Sequence, residues 1–181
     1  MSEYTRNAEE ILITKEQLSE KIKQLGADIT KDYKDKKLLL ISILKGSVVF
    51  LADLMREIRL PLEIDFMCIS SYQNSTQSSG NVKILKDLSR DIKGFDVLIV
   101  EDILDTGLTL SYLIPMLLDR KPESLKICTL LDKPSRRRVP VQADYAGFRI
   151  DDSFIVGYGL DYAEHYRNLD YIGIYKESNE R

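Results

Sequence analysis

The chain carries little with which to hold a transition metal or to cross-link itself: one histidine, His165, and two cysteines, Cys68 and Cys128. Structural metal sites need several such ligands at short spacing, and His165 has no partner of that kind, so it reads as an exposed loop residue. Both cysteines lie in apolar, strand-like surroundings, where a thiol packs as a small hydrophobe, and a reduced, cytoplasmic compartment fits them. No apolar run approaches the ~18 residues required to cross a bilayer, which argues against a membrane span. The start, Met1-Ser2-Glu3-Tyr4-Thr5, has neither a basic nor an apolar leader region, so no secretory signal is expected. Positive charge is also short: 26 Lys and Arg against 29 Asp and Glu give a net charge of -3, no general field for nucleic acid. The one basic cluster, Arg136-Arg137-Arg138, reads as a solvated loop.

What remains is an ordinary globular composition, 44% hydrophobic and 30% charged over 181 residues, which suits a single domain spanning 1–181. Thr14 with Gln17 forms a capping-box pattern, and Leu18, Ile22, Leu25, Ile29 and Tyr33 follow at helical spacing. Leu38 to Leu44 is a near-continuous apolar run, a strand buried on both faces. Lys45-Gly46-Ser47 turns into a second apolar helix, Val48 to Ile58, and the alternation of Leu62, Ile64, Phe66 and Cys68 predicts a further strand. From Ser70 to Asn81 the chain is almost wholly polar apart from Tyr72, a pattern expected of a mobile loop closing over a site, with a strand returning from Val82 to Leu88. Leu110, Leu113, Ile114 and Leu117 continue a helix that Pro115 should kink. Strands follow at Leu125–Leu131, Phe154–Tyr158 and Tyr171–Tyr175, with irregular structure over Val139–Ile150 and a tail expected to fray after Lys176. Strands alternating with helices predict an α/β fold, an open and mostly parallel sheet flanked by helices, with ligands beyond the carboxyl ends of its strands.

The most informative stretch is Val97-Leu-Ile-Val-Glu-Asp-Ile-Leu-Asp-Thr-Gly-Leu-Thr-Leu110. Four apolar residues suit a buried strand, and Glu101 and Asp102 follow where it should emerge. Adjacent carboxylates in a partly dry crevice are costly unless hydroxyls or a cation meet them. Asp105-Thr106-Gly107-Leu108-Thr109 then supplies hydroxyls, a permissive glycine and the free N–H groups of a helix start, the requirements of a phosphate seat. Taken singly, acids after a strand are common loop solvation and Thr-Gly is common capping. Their order within one strand–loop–helix unit points to a phosphorylated sugar.

This segment resembles the phosphoribosyl-diphosphate motif of the type I phosphoribosyltransferases, and the resemblance extends over nearly the whole chain. It implies that fold, with a small hood region and a flexible lid loop. Glu101, Asp102, Ile103, Leu104, Asp105, Thr106, Gly107, Leu108 and Thr109 would then form the phosphoribose site. The turn Leu44-Lys45-Gly46-Ser47 is similar to the diphosphate loop of the hypoxanthine-guanine phosphoribosyltransferases, in which the peptide before the lysine can be cis. The resemblance assigns Lys45, Gly46 and Arg167 to diphosphate, and Ser71-Tyr72 to the lid. It assigns Lys133, Phe154, Ile155 and Asp161 to the purine: an ammonium for a 6-oxo group, a stacking ring, and a backbone that reads the base edge. Glu101 and Asp102 would hold the shell of a Mg2+ ion and Asp161 would bind a second, a hard cation that prefers carboxylate oxygen. Asp105 would act as general base at purine N7.

The expected activity is transfer of a phosphoribosyl group from phosphoribosyl diphosphate to hypoxanthine or guanine, by an enzyme forming a homodimer or homotetramer, with no nucleic-acid or membrane partner. One rival is an RNA-binding regulator of the same fold, which should lack the purine pattern and show a basic face. Another is a signalling receiver domain, which also uses strand-end acids and a Lys-Pro pair such as Lys133-Pro134, but has no use for Asp105–Thr109.

Overall fold

A computed structural model describes residues 5, 7, 8, 10–71 and 82–177. Tyr72 and the rest of the expected lid loop through Asn81 lie outside the described residues, as do 178–181 of the tail. Ser71 ends a strand.

In chain order the elements are β1 (Glu10–Ile13), α1 (Lys15–Asp32), β2 (Leu38–Leu44), α2 (Val48–Glu57), β3 (Leu62–Ser71), β4 (Val82–Lys86), β5 (Asp96–Leu104), α3 (Leu108–Leu118), β6 (Ser124–Asp132), β7 (Tyr145–Arg149), β8 (Ile155–Val156) and β9 (Ile172–Ile174). A six-stranded sheet runs β4-β3-β2-β5-β6-β7, parallel throughout except for β4 at its edge. A three-stranded antiparallel sheet, β1-β9-β8, forms the hood.

The capping box is present: Gln17 N–H donates to Thr14 Oγ1 at 3.3 Å, and Thr14 N–H to Gln17 Oε1 at 2.8 Å. The central strands are buried on both faces because each feeds a separate core. Leu38 and Leu40 of β2, with Leu98 and Val100 of β5, pack beneath α1, α2 and the hood. Leu39, Ile41 and Ile43, with Val97 and Ile99, pack against Leu110, Leu113 and Leu117 of α3. Such runs need no alternation because neither face meets water. Pro115 lies inside α3, which nevertheless continues to Leu118.

One expectation changes and two details are new. β5 does not end at Val100 but carries Glu101 and Asp102 within the strand, still paired with β6 at Glu101↔Thr129. β3 forms where the alternation predicts it, and both its faces are used: Leu62 and Phe66 join one cluster, Met67 and Ile69 the other, and Ile64 remains 38% exposed. β1 was not legible, since a four-residue strand that leaves Ile11 and Leu12 exposed exists through its pairing with β9.

The strand order fixes where ligands can sit. From β2 the chain crosses to β3 on one side, and from β5 to β6 on the other. The loops leaving β2 and β5 therefore diverge and open a crevice between them, the topological switch point of an open α/β sheet. Those loops are Lys45-Gly46-Ser47 and Asp105-Thr106-Gly107.

Candidate active site

Two adjoining cavities occupy this crevice and share Lys45, Gly46, Asp102, Ile103 and Asp105. One, of ≈370 Å³, is lined by Glu101, Leu104, Thr106, Gly107 and Thr109 in addition. The other, of ≈630 Å³, reaches Lys133, Phe154, Ile155, Asp161 and Arg167. The sequence expectations thus converge on one two-lobed cleft, with Asp102 and Asp105 at the seam. Leu108 heads α3 without lining either lobe.

The acid pair sits in an environment that resists charge. Glu101 is buried, and burial first, then the neighbouring Asp102, pushes its carboxyl well above the usual carboxylate range. Burial likewise raises Asp102 to about 6; its backbone bonds, led by the Ile103 N–H at 2.8 Å to Oδ1, and the Arg167 charge oppose the rise, and Asp161 adds to it. Gly46 allows this approach, since a side-chain carbon there would overlap the Asp102 carboxylate. Among the described residues no three His, Cys, Asp or Glu side chains are arranged to hold a metal ion. Glu101, Asp102 and Asp161 do not form a preformed cage: Glu101 is buried, while Asp161 is engaged by Arg167 at 2.8 Å and by the Glu164 N–H at 2.9 Å.

The loop after β5 carries the donors that an anion seat needs. Gly107, at φ +80°, is the N-cap of α3, and the N–H groups of Asp105, Thr106 and Gly107 donate to no acceptor among the described residues. Asp105 does not cap this helix. Its Oδ1 is buried without a hydrogen bond among the described residues, and Arg136 Nε lies 3.5 Å away.

In the larger lobe Lys133 is 7% exposed, and its Nζ donates to the Ser153 carbonyl at 2.6 Å. No carboxylate among the described residues pairs with it. Phe154 is 56% exposed, not the core aromatic its apolar neighbours would suggest. It stands edge-on to Tyr162 and Tyr175, at 5.8 and 5.7 Å, and those two rings stack at 4.3 Å. More than half of its surface stays open beside these rings.

The two cations expected at diphosphate already hold carboxylates. Lys45 Nζ lies 2.9 Å from Glu164, and Arg167 reaches both Asp161 and, at 3.5 Å, Glu164. The Leu44-Lys45 peptide is cis. His165 is exposed, as expected. Sequence reasoning missed Glu164 and misread the arginine run. Arg136 lines the larger lobe, and Arg137, far from solvated, is largely buried against Asp132. A basic triplet beside Asp132 was the available signal.

A model of the phosphoribosyl transferase domain matches residues 8–163. A hypoxanthine-guanine phosphoribosyltransferase of Bacillus subtilis (strain 168) is 55% identical over 168 residues, covering 93% of each chain. One of Streptococcus pyogenes serotype M3 is 52% identical, over 95% of this chain and 96% of that protein. The crystal structure of a hypoxanthine phosphoribosyltransferase from Staphylococcus aureus superposes with a TM-score of 0.93 at 51% identity, covering 97% of this chain and 95% of that one. With the fold, the switch-point cleft and these relatives in agreement, the chain belongs to the type I phosphoribosyltransferases, among the hypoxanthine-guanine phosphoribosyltransferases.

Proposed function

We propose that this chain transfers the 5-phosphoribosyl group of phosphoribosyl diphosphate to a 6-oxopurine, hypoxanthine or guanine, releasing diphosphate in purine salvage. The observation that carries the choice of base is Lys133: a buried ammonium with one carbonyl partner and no carboxylate among the described residues, lining the lobe that Phe154 flanks. Such a group wants a further acceptor, which a purine 6-oxo group supplies and a 6-amino group does not.

In this reading the N–H groups and hydroxyls of Asp105–Thr109 seat the 5′-phosphate, and Glu101 and Asp102 receive the ribose hydroxyls. Phe154 stacks on the base, and the Ile155 backbone reads its edge. Asp105, at the seam between lobes, takes the proton at N7. Lys45, Gly46 and Arg167 hold the diphosphate, whose oxygens displace the carboxylate of Glu164. Positive charge develops at the anomeric carbon as diphosphate departs, so the protein contributes positioning and electrostatic stabilisation rather than a covalent intermediate.

Magnesium fits this site. It keeps several waters and is bound through one or two carboxylates with substrate phosphate, so Asp102 and Asp161 suffice where no cage exists. When bound it would neutralise charge on the leaving diphosphate. The free thiols of Cys68 and Cys128 accord with a cytoplasmic location, and assembly as a homodimer or homotetramer accompanies the family reading. Incubating the purified protein with phosphoribosyl diphosphate, magnesium and each base in turn tests the proposal. Nucleotide should form from hypoxanthine or guanine, and its absence with both refutes the reading.

A further inference from the structure

Arg137 lines neither lobe of the cleft. It faces a separate cavity of ≈340 Å³ with Asp132 and Val141. Only 16% of its side chain is exposed. One arm of the guanidinium, Nη1, donates to the Leu104 carbonyl at 2.9 Å and to the Asp105 carbonyl; the other, Nη2, donates to Asp132 Oδ1. The backbone nearby continues the pattern: Lys133 N–H donates to the Leu104 carbonyl and Arg138 N–H to the Thr106 carbonyl, both at 3.0 Å. Every carbonyl from Leu104 to Thr106 is thus engaged by the segment 133–138. A peptide whose carbonyl is fixed has its N–H fixed in the opposite sense. The N–H groups of Asp105, Thr106 and Gly107, unengaged among the described residues, are what this leaves for a ligand. The stem of Arg137 also packs near Gly107, where an added side-chain carbon would stand 3.2 Å from Cδ.

We propose that Arg137, oriented by Asp132, is a positioning residue that sets the anion seat from behind by pinning its carbonyls, without touching the substrate. The inference rests on the reading of Asp105–Thr109 as the 5′-phosphate seat. The planar fork is essential to it: two carbonyls and a carboxylate are spanned by one rigid group, which the single point charge of lysine does not reproduce.

The test separates phosphate recognition from folding by comparing IMP with inosine, which lacks the 5′-phosphate, as competitive inhibitors of the wild type, R137M, R137K and D132N. R137M should weaken IMP at least tenfold while inosine changes less than threefold. R137K should fail to restore IMP, and D132N should shift it in the same direction. Circular dichroism monitors folding, and R137K and D132N carry the test if R137M does not fold. Equal losses for IMP and inosine, or unchanged IMP binding, overturn the proposal. If the wild type does not favour IMP over inosine, the phosphate-seat reading itself is at fault. If the wild type discriminates and the variants keep its ratio, only the role of Arg137 falls.

Discussion

Asp102→Asn should make the ligand-free protein more stable while impairing it as an enzyme. The Asp102 carboxyl rises from 3.8 to about 6 on folding, chiefly through burial. At about pH 7.5 it is ionised in both states, so the folded state bears the difference. At about 1.4 kcal/mol per pKa unit the ceiling is roughly 3 kcal/mol, and relaxation around the pair brings the expected gain nearer 2 kcal/mol. Asparagine keeps an oxygen for the Ile103 N–H at 2.8 Å and is nearly isosteric, so little is lost in return. For a chain of this size 1 kcal/mol corresponds to about 2–4 °C in Tm, so a rise of about 4–8 °C is expected.

The pH dependence gives the sharper check. A carboxyl whose folded pKa is raised contributes stability that is fully present below the unfolded value and is lost as pH rises through about 6. Wild type should therefore recover roughly two-thirds of the gap to the variant between about pH 7.5 and 4.5. Glu101 loses the upward push of Asp102 in the variant, which widens the gap in the same direction, while carboxylates away from the pair titrate alike and cancel. Calorimetry on the pair at the two pH values measures this directly. A variant less stable than wild type at pH 7.5, or a gap that does not change with pH, would refute the claim that this site holds an acid pair against its preference.

Three further outcomes follow from the cleft. Asp105→Asn should lower kcat by ~10²–10⁴-fold with phosphoribosyl diphosphate binding nearly intact; because Gly107 and not Asp105 is the N-cap of α3, Tm should hold, and a loss confined to binding would make Asp105 a positioning residue. Glu164→Gln should tighten diphosphate up to about fivefold, as expected for releasing the exposed pair with Lys45 at 2.9 Å, and product-inhibition constants measure it; weaker binding would show that Glu164 orients Lys45 instead of competing for it. Adenine should be a very poor substrate beside hypoxanthine, because the Lys133 ammonium has nothing to donate to at a 6-amino group, and comparable kcat/KM values would sink the purine-lobe assignment.

How much of this could be read from the sequence depends on how far apart the cooperating groups lie along the chain. The β2 and β5 strands were legible because continuous burial needs only their own residues to be apolar, and α1 because Thr14 and Gln17 satisfy each other within one turn. The donors and acids of the candidate anion seat could be listed for the same reason: carboxylates, hydroxyls, glycine and helix start all fall between Glu101 and Thr109. Lys133, Phe154 and Arg167 each resemble surface or core residues in isolation, and the family pattern was needed to bring them to the cleft.

Where a role depends on an acceptor elsewhere in the fold, local pattern misleads. Arg137 looked solvated because a basic triplet normally is, yet Asp132 and the carbonyls of Leu104 and Asp105 give it a buried place. Glu164 carried no signal, since only the return of the hood brings it to Lys45, 119 residues away. β1 required a partner at the far end of the chain, with Glu10 opposite Ile174. Both arginine and glutamate are charges that composition assigns to solvent by default. In a site built to bind a multiply charged ligand that default fails first, because cations and anions must be held in the fold before the ligand arrives. The residues most readily overlooked from sequence are then those that orient the binding groups or stand in for the ligand's charge.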